Sequence, residues 1–163
     1  MLKKLLLVVC ATSLLAACST RRSGAEIYGE NGGWKEGINV EDLERTQLTK
    51  AFEKQTTPIV YFAFDSSELT EEAKDSLTGQ AEFLKENPEA LIVIAGNCDE
   101  RGTEEYNLAL GKRRAVAVEN FLKARGVKSV RIKVISYGKE RPIALGSSEE
   151  AWAKNRNAQT TAY

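Results

Sequence analysis

The chain has 163 residues, with 23 Lys and Arg balanced by 23 Asp and Glu, three Cys and no His. Without histidine, Ser/His/Asp and Cys/His triads and His-based zinc sites are excluded. The balanced charge gives no electrostatic reason to expect a nucleic-acid partner.

The chain begins with the pattern of a lipoprotein signal peptide. Lys3 and Lys4 precede an apolar run over residues 5–17, which ends in small residues just before Cys18. This run is shorter than the roughly 20 residues that a membrane-spanning helix needs, and its order of charged, apolar and small residues is typical of a cleaved signal. We expect residues 1–17 to be removed and Cys18 to be lipidated with chains such as palmitate. A secretory signal with an incidental cysteine is the alternative.

In bacterial lipoproteins, which this N-terminal pattern resembles, the residue after the lipidated cysteine determines the membrane in which the protein is anchored. An aspartate at that position usually retains a lipoprotein in the inner membrane, whereas this chain has Ser19. We therefore expect an anchor in the cell outer membrane, with the rest of the chain on its periplasmic face.

Residues 18–57 are polar and rich in glycine, which is typical of a flexible tether. Val40–Phe52 carries spaced apolar residues and predicts a short helix late in this tether. Of the cysteines, Cys10 leaves with the signal and Cys18 is acylated, so Cys98 has no partner within the mature chain and no disulfide is expected.

Residues 58–163 predict one domain, an α+β sandwich in which helices pack on a mixed sheet in the order βαβαβ(α)β. A β-branched and aromatic run and an unbroken apolar run predict the first two strands. Alternation with one exposed face predicts the third strand. The predicted strands cover residues 59–64, 91–95, 130–135 and 159–163. The first predicted helix covers residues 70–87, and the last covers residues 149–154. Between them a long helix ends at Gly126 and carries the apolar residues Leu110, Ala115, Ala117, Val118, Phe121 and Leu122.

The polar and charged residues that could form a binding site lie in the loop between the second predicted strand and the long predicted helix, and on that helix. Asp99 follows the strand, and Asn107 and Arg114 lie seven residues apart, on one stripe of the helix. A carboxylate beside a guanidinium predicts a small bipolar pocket for a ligand that carries an ammonium and a carboxylate on one carbon. The alternative is that Asp99, Glu100, Arg101 and Arg114 are mutually paired surface charges, which are common and worth only about 0–1 kcal/mol.

Four motifs in order resemble the OmpA-like C-terminal domain family across residues 58–163. They are Phe62-Ala63-Phe64-Asp65, Asp99-Glu100-Arg101-Gly102-Thr103, the helix positions Asn107, Leu110, Arg114 and Ala115, and Ser136-Tyr137-Gly138-Lys139-Glu140-Arg141-Pro142. The chain departs from the family pattern at Asn97 and Cys98, where His and Ala or Thr are more usual, at Gly111, where Ser is frequent, and at Asn157, where a second Arg is frequent. In this last segment Arg156 remains as a possible contributor to the carboxylate contact.

This resemblance implies non-covalent binding of peptidoglycan through the diaminopimelate of its stem peptide. Asp99 would hold the ammonium, Arg114 would clamp the carboxylate with two parallel hydrogen bonds, and Asn107 would orient the site. Groups near Phe64, Asp65 and Thr103 would line the wall of the pocket.

The resemblance to lipid-anchored members of this family further implies that the protein tethers the outer membrane to the cell wall. The periplasmic propeller protein of the Tol system, which acts in envelope integrity and cell division, would be a further partner. No catalysis and no cofactor are implied. A wall-binding lipoprotein outside the Tol system and a murein hydrolase are the alternatives.

Overall fold

The computed structural model describes Gly29, residues 31–37, Asn39 and residues 46–163. Its helices are α1 (Gln47–Gln55), α2 (Glu71–Glu86), α3 (Glu104–Ala124) and α4 (Glu149–Asn155), and its strands are β1 (Ile59–Tyr61), β2 (Ile92–Asn97), β3 (Ile132–Gly138) and β4 (Asn157–Ala162). The predicted order βαβαβ(α)β is confirmed from β1 onward. The predicted signal peptide, Cys18 and Ser19 lie outside the described residues.

The four strands form one mixed sheet in the order β1-β4-β2-β3, which confirms the predicted α+β class. The central strand β2 runs parallel to β3 and antiparallel to β4, so that Ile94 lies beside Val134 on one side and Thr160 on the other. Both faces of β2 are covered, and Ile92 and Ile94 are fully buried. An apolar strand of this kind is stable in the middle of a sheet.

Side-chain caps define where the two long helices begin. The Thr70 hydroxyl accepts a hydrogen bond from the Ala73 amide at the start of α2, and Thr103 accepts one from Tyr106 at the start of α3. Such caps satisfy backbone donors that have no partner within the helix. The helix α2 ends at Glu86, with Asn87 as its C-cap before Pro88, close to the end that the sequence predicts.

The second and fourth strands differ from their predicted bounds by one or two residues at each end, and three further details differ from the structure. The first strand ends at Tyr61, because the chain from Phe62 onward turns towards α3. The third strand starts at Ile132 after a 3-10 turn, and its residues 132–137 are all half-buried, because this edge strand packs against α3 and has no freely exposed face. Ala117 and Phe121 are half-buried, whereas Leu110, Ala115, Val118 and Leu122 carry the core face of α3.

The packed core begins before residue 58, where the sequence predicts the domain boundary. In α1, Phe52 is fully buried and its ring lies edge-on to Phe83, with the ring centroids 5.3 Å apart. The Thr49 hydroxyl donates to the Ala162 carbonyl in β4 at 2.6 Å. An aromatic side chain buried in this way stabilises the fold by about 1.5–3 kcal/mol, which explains why α1 belongs to the domain and not to the tether.

A second part of the predicted tether also contacts the domain. The Trp34 amide donates to the Val130 carbonyl at 3.1 Å, and its indole N–H lies within hydrogen-bond distance of the Ile92 and Arg131 carbonyls, at 3.2 and 3.1 Å. The indole ring meets Tyr163 edge-on. These contacts fix the chain at residue 34 to the end of the sheet where β2 and β3 begin.

Two glycines let α3 approach β2 closely. A Cβ atom added at Gly96 would overlap the carbonyl oxygen of Gly111, and one added at Gly111 would lie 2.8 Å from the carbonyl oxygen of Gly96. The serine that is frequent in the family at position 111 would not fit this packing without a shift of the helix. The close approach brings Arg114, one turn further along α3, against the end of β2.

Within the described residues, no helix is long and apolar enough to cross a membrane. The same part of the chain holds no group of three or more Cys, Asp or Glu side chains that could bind a metal ion.

Candidate functional site

A pocket of about 180 Å³ opens where β2 ends and α3 begins. Five of the six ligand-binding residues predicted from the sequence line it, namely Phe64, Asp65, Asp99, Asn107 and Arg114, together with Cys98, Arg101, Gly102, Tyr106 and Leu110. The sixth, Thr103, is exposed and serves as the cap of α3. The fold therefore brings together residues that are up to 50 positions apart in the chain.

The Asp99 carboxylate is buried and already paired with cations of the protein. Arg101 donates from Nε to Oδ1 at 3.1 Å and from Nη2 to Oδ2 at 2.6 Å, and Arg156 Nη1 lies 3.5 Å from Oδ2. Burial raises the pKa of this carboxyl, but the hydrogen bonds from the two arginines lower it by more, so the pKa lies below its ordinary value. Asp99 is consequently ionised at neutral pH.

Arg114 is among the most deeply buried side chains, at 1% exposure. Its Nε donates to the Ser66 carbonyl at 2.8 Å, Nη1 donates to Asn97 at 2.8 Å, and Nη2 donates to Ala63 at 3.1 Å. All three nitrogens are therefore engaged with backbone oxygens. These bonds use three of the five N–H donors of the guanidinium, so the two parallel hydrogen bonds to a ligand carboxylate that the sequence predicts would need the second N–H groups of Nη1 and Nη2.

Asn107 holds the loop between β2 and α3 in place. Its side-chain amide donates to the Arg101 backbone carbonyl at 2.8 Å, and the Asn107 backbone carbonyl accepts from the Cys98 thiol at 3.3 Å. Burial raises the pKa of that thiol, which keeps it protonated at neutral pH. Cys98 thus acts as a buried donor, and its environment does not favour thiolate chemistry.

Phe64 and Asp65 form the opposite side of the pocket mouth. Phe64 is 61% exposed, an unusual degree for a phenylalanine. Asp65 adopts a left-handed backbone conformation, with φ of 54°, and its carboxylate accepts a hydrogen bond from the Tyr106 hydroxyl. That hydrogen bond raises the pKa of Tyr106. The contact joins the loop after β1 to the first turn of α3.

The structure adds Arg101 and Trp152 to the predicted site and places Arg156, the possible contributor named from the sequence, beside Asp99. Arg101 and Asp99 stand two residues apart in one loop, and this spacing is the sequence signal that could have identified the pair. Trp152 and Arg156 lie on and just after α4, more than 50 residues away from Asp99, so local spacing carries no signal for them. Of the four charges that the alternative interpretation paired with one another, Asp99 and Arg101 do form a pair.

Asn97 and Asn157, two positions at which this chain departs from the family pattern, contact each other. The Asn97 side-chain amide donates to the Asn157 side-chain carbonyl at 2.8 Å, and both residues are buried. Asn157 in turn donates to the Lys154 carbonyl. A neutral amide pair therefore occupies the positions where the family usually has a histidine and often has an arginine.

Taken together, the pocket presents one buried carboxylate, two guanidinium groups and exposed aromatic rings. Such a set can bind a small zwitterion through charge-assisted hydrogen bonds. It is poorly suited to general acid catalysis, because the Asp99 carboxyl is held in its ionised form by neighbouring cations.

Comparison with known proteins agrees with this architecture. Residues 61–156 match the OmpA family. The peptidoglycan-associated lipoprotein of Pasteurella multocida is 39% identical over 96% of this chain and 95% of its own, and that of Haemophilus influenzae is 40% identical over 95% of this chain and 94% of its own. The crystal structure of the peptidoglycan-associated lipoprotein from Burkholderia pseudomallei superposes with a TM-score of 0.64 and 45% identity, over 66% of this chain and 91% of that one. The chain therefore belongs to the OmpA family and, within it, to the peptidoglycan-associated lipoproteins.

Proposed function

We propose that this chain is a lipid-anchored envelope protein that binds peptidoglycan non-covalently and tethers the outer membrane to the cell wall. The observation that carries the proposal is the convergence of Asp99, Asn107 and Arg114 on one pocket. The relatives named as peptidoglycan-associated lipoproteins support the same ligand.

The ligand that fits this pocket best is the free amino-acid centre of diaminopimelate in the stem peptide. Its ammonium is complementary to the buried Asp99 carboxylate, and its carboxylate is complementary to the arginines around it. The exposed rings of Phe64 and Tyr106 provide apolar contact for the carbon chain between the two ends of the ligand. Binding of this kind needs no chemical step, which agrees with a non-catalytic role.

The test compares two cell walls. The full-length protein is incubated with purified peptidoglycan that contains diaminopimelate and with peptidoglycan that contains lysine at the same position, and the sedimented protein is measured. Since lysine lacks the second carboxylate, we expect binding at least ~30-fold weaker, the loss typical of an unpaired buried charge. Equal binding to both walls would overturn the proposal, and release of soluble muropeptides would instead favour a hydrolase.

The membrane anchor is tested at Cys18. Replacement by alanine removes the thiol that would carry the lipid, and two or three acyl chains are needed for stable membrane attachment. We expect Cys18→Ala to yield unprocessed or mislocalised protein, whereas Cys98→Ser, which changes a buried thiol, should fractionate like the original chain. Normal processing of Cys18→Ala and its recovery with the outer membrane would contradict the lipid anchor.

A role with the Tol system is part of the same proposal and rests on the resemblance to this lipoprotein family. We expect the partner, the periplasmic propeller protein, to bind a surface that overlaps the pocket mouth. Capture of that protein by this chain, with competition by soluble wall fragments, would distinguish a Tol-linked lipoprotein from a wall-binding lipoprotein outside that system.

A further inference from the structure

The segment around Trp34 lies on the end of the sheet opposite the pocket. Its indole N–H is shared between the carbonyls of Ile92 and Arg131, at 3.2 and 3.1 Å, and these carbonyls lie where β2 and β3 begin. The pocket opens where β2 ends, beside Asp99. Since a strand rises about 3.3 Å per residue, the docked tryptophan and the pocket lie roughly 20 Å apart.

A glycine lets this segment approach the domain closely. Gly33 is buried, and a Cβ atom added there would overlap the carbonyl oxygen of Val130 and lie 2.8 Å from the Val130 Cβ. The Trp34 amide donates to that same carbonyl at 3.1 Å. A larger residue at position 33 would hold this amide away from its acceptor. The contact therefore depends on a glycine directly before the tryptophan.

Ring contacts hold the Trp34 side chain in place. Its ring meets that of Tyr163 edge-on, with the centroids 6.1 Å apart, and the Lys133 ammonium lies 5.7 Å from the centroid of the indole. Trp34 remains half-buried, and residues 35–37 after it are exposed. A segment held by one side chain and a few hydrogen bonds opens more readily than the core of a domain.

The position of this contact along the chain determines how far the domain can lie from its anchor. Trp34 follows Cys18 by 16 positions, whereas Thr46, the cap of α1, follows it by 28. At about 3.5 Å per residue, the longest span to the lipidated cysteine is ~55 Å with Trp34 docked and ~100 Å with Trp34 released. The docked segment therefore withholds roughly 40 Å of reach.

We propose that Gly33 and Trp34 form a releasable docking point, which stores part of the tether and gives the domain a short and a long reach from the membrane. The inference rests on the lipid anchor of the proposed function and does not depend on which ligand the pocket binds. Because the tether docks at one end of the domain and the pocket opens at the other, tension between membrane and wall acts on this contact before it acts on the sheet.

The first measurement is hydrogen exchange of the purified full-length protein, followed at single amides by NMR. We expect the Trp34 amide to exchange at least ~10-fold more slowly than in Gly33→Ala, and at least ~10-fold faster than the Ile94 amide in β2. Lys35→Ala is the matched control and should keep the protection, because Lys35 is the exposed neighbour of Trp34. Equal exchange in the unchanged chain and in Gly33→Ala would overturn the docking, and exchange as slow as that of Ile94 would overturn its release.

The second measurement uses neutron reflectometry to find the height of the domain above a supported bilayer. The same Gly/Ser insert of about 24 residues is placed either after Ala25, upstream of the docked residues, or after Asn39, downstream of them. The r.m.s. length of a flexible chain grows with the square root of its residue number, so the upstream insert should raise the domain by ~13 Å. The downstream insert should raise it by less than ~3 Å, because docking survives when the cost of closing a loop grows slowly with its length.

In Gly33→Ala, where the tether is released, both inserts should raise the domain equally, by ~10 Å. An equal rise for the two inserts in the unchanged chain would overturn the proposal. If the full-length protein failed to attach to the bilayer, the lipid anchor of the proposed function would fail, and the limit on reach would fail with it. Protection of the Trp34 amide would in that case still establish the docked segment.

Discussion

Replacement of Asp99 by asparagine is expected to reduce the affinity for diaminopimelate-containing wall by at least ~30-fold, because removal of one partner of a desolvated charge pair typically costs about 2–5 kcal/mol. Asparagine keeps the size of the side chain, so the pocket changes little in shape. It removes the negative charge that the ligand ammonium needs. Arg101 and Arg156 then face the ligand with no buried carboxylate between them.

The measurement is co-sedimentation of the full-length protein with purified wall over a range of wall concentrations. The matched control is Glu104→Gln, which removes a carboxylate from an exposed position in the first turn of α3. We expect the control to change affinity by less than ~1 kcal/mol, as is usual for an exposed charge. Similar affinities for Asp99→Asn and Glu104→Gln, in proteins with the same unfolding temperature, would show that the Asp99 carboxylate is not the recognition group.

Replacement of Arg114 by alanine is expected to lower the free energy of unfolding by at least ~3 kcal/mol, because truncation of a large buried side chain costs about 2–5 kcal/mol and the buried Asn97 carbonyl that loses its donor costs about 1–3 kcal/mol. Three carbonyls are affected, those of Ala63, Ser66 and Asn97. They belong to the loop after β1 and to the end of β2, so Arg114 connects two segments that no strand pairing joins at this point. The structure thus adds a role in stability to the ligand-binding role expected from the sequence.

Urea denaturation followed by circular dichroism measures this effect. The neighbouring Arg113 is the control, because it is exposed, and Arg113→Ala should shift the free energy of unfolding by no more than ~0.5 kcal/mol. Arg114→Lys should fall between the control and Arg114→Ala, since one ammonium cannot reach three carbonyls in the geometry of a guanidinium. An unchanged urea midpoint for Arg114→Ala would mean that these hydrogen bonds contribute little to the fold.

The large loss of stability expected for Arg114→Ala also affects the measured binding of this variant to the cell wall. A loss of wall binding in Arg114→Ala would combine unfolding with loss of a pocket charge. Asp99→Asn avoids this ambiguity, because it removes no donor from the carbonyls of Ala63, Ser66 and Asn97. Binding assays on Asp99→Asn therefore report on recognition, and the urea series on Arg114 reports on the scaffold.

The sequence by itself determined the features that depend on neighbouring residues. The apolar run before Asn97 produced a central strand, Thr70 and Pro88 bounded α2, and the spacing of Leu110, Val118 and Leu122 defined the buried face of α3. Each of these signals acts over a few residues, because helix caps, periodicity and strand propensity are local properties of the backbone. The ordered motifs added the family and the place of the pocket.

Only the tertiary structure decided which charges meet in that pocket. The sheet order β1-β4-β2-β3 places the end of α4 beside β1, and this brings Trp152 and Arg156 to Asp99 across more than 50 residues. The same packing directs Arg114 inward to backbone carbonyls and leaves Arg101 to cover the carboxylate. Trp34 and Phe52 likewise dock through contacts with β2, β4 and α2, which no local pattern predicts. Hydrogen bonds and burial between distant segments depend on how the elements pack, and residue spacing along the chain does not specify that arrangement.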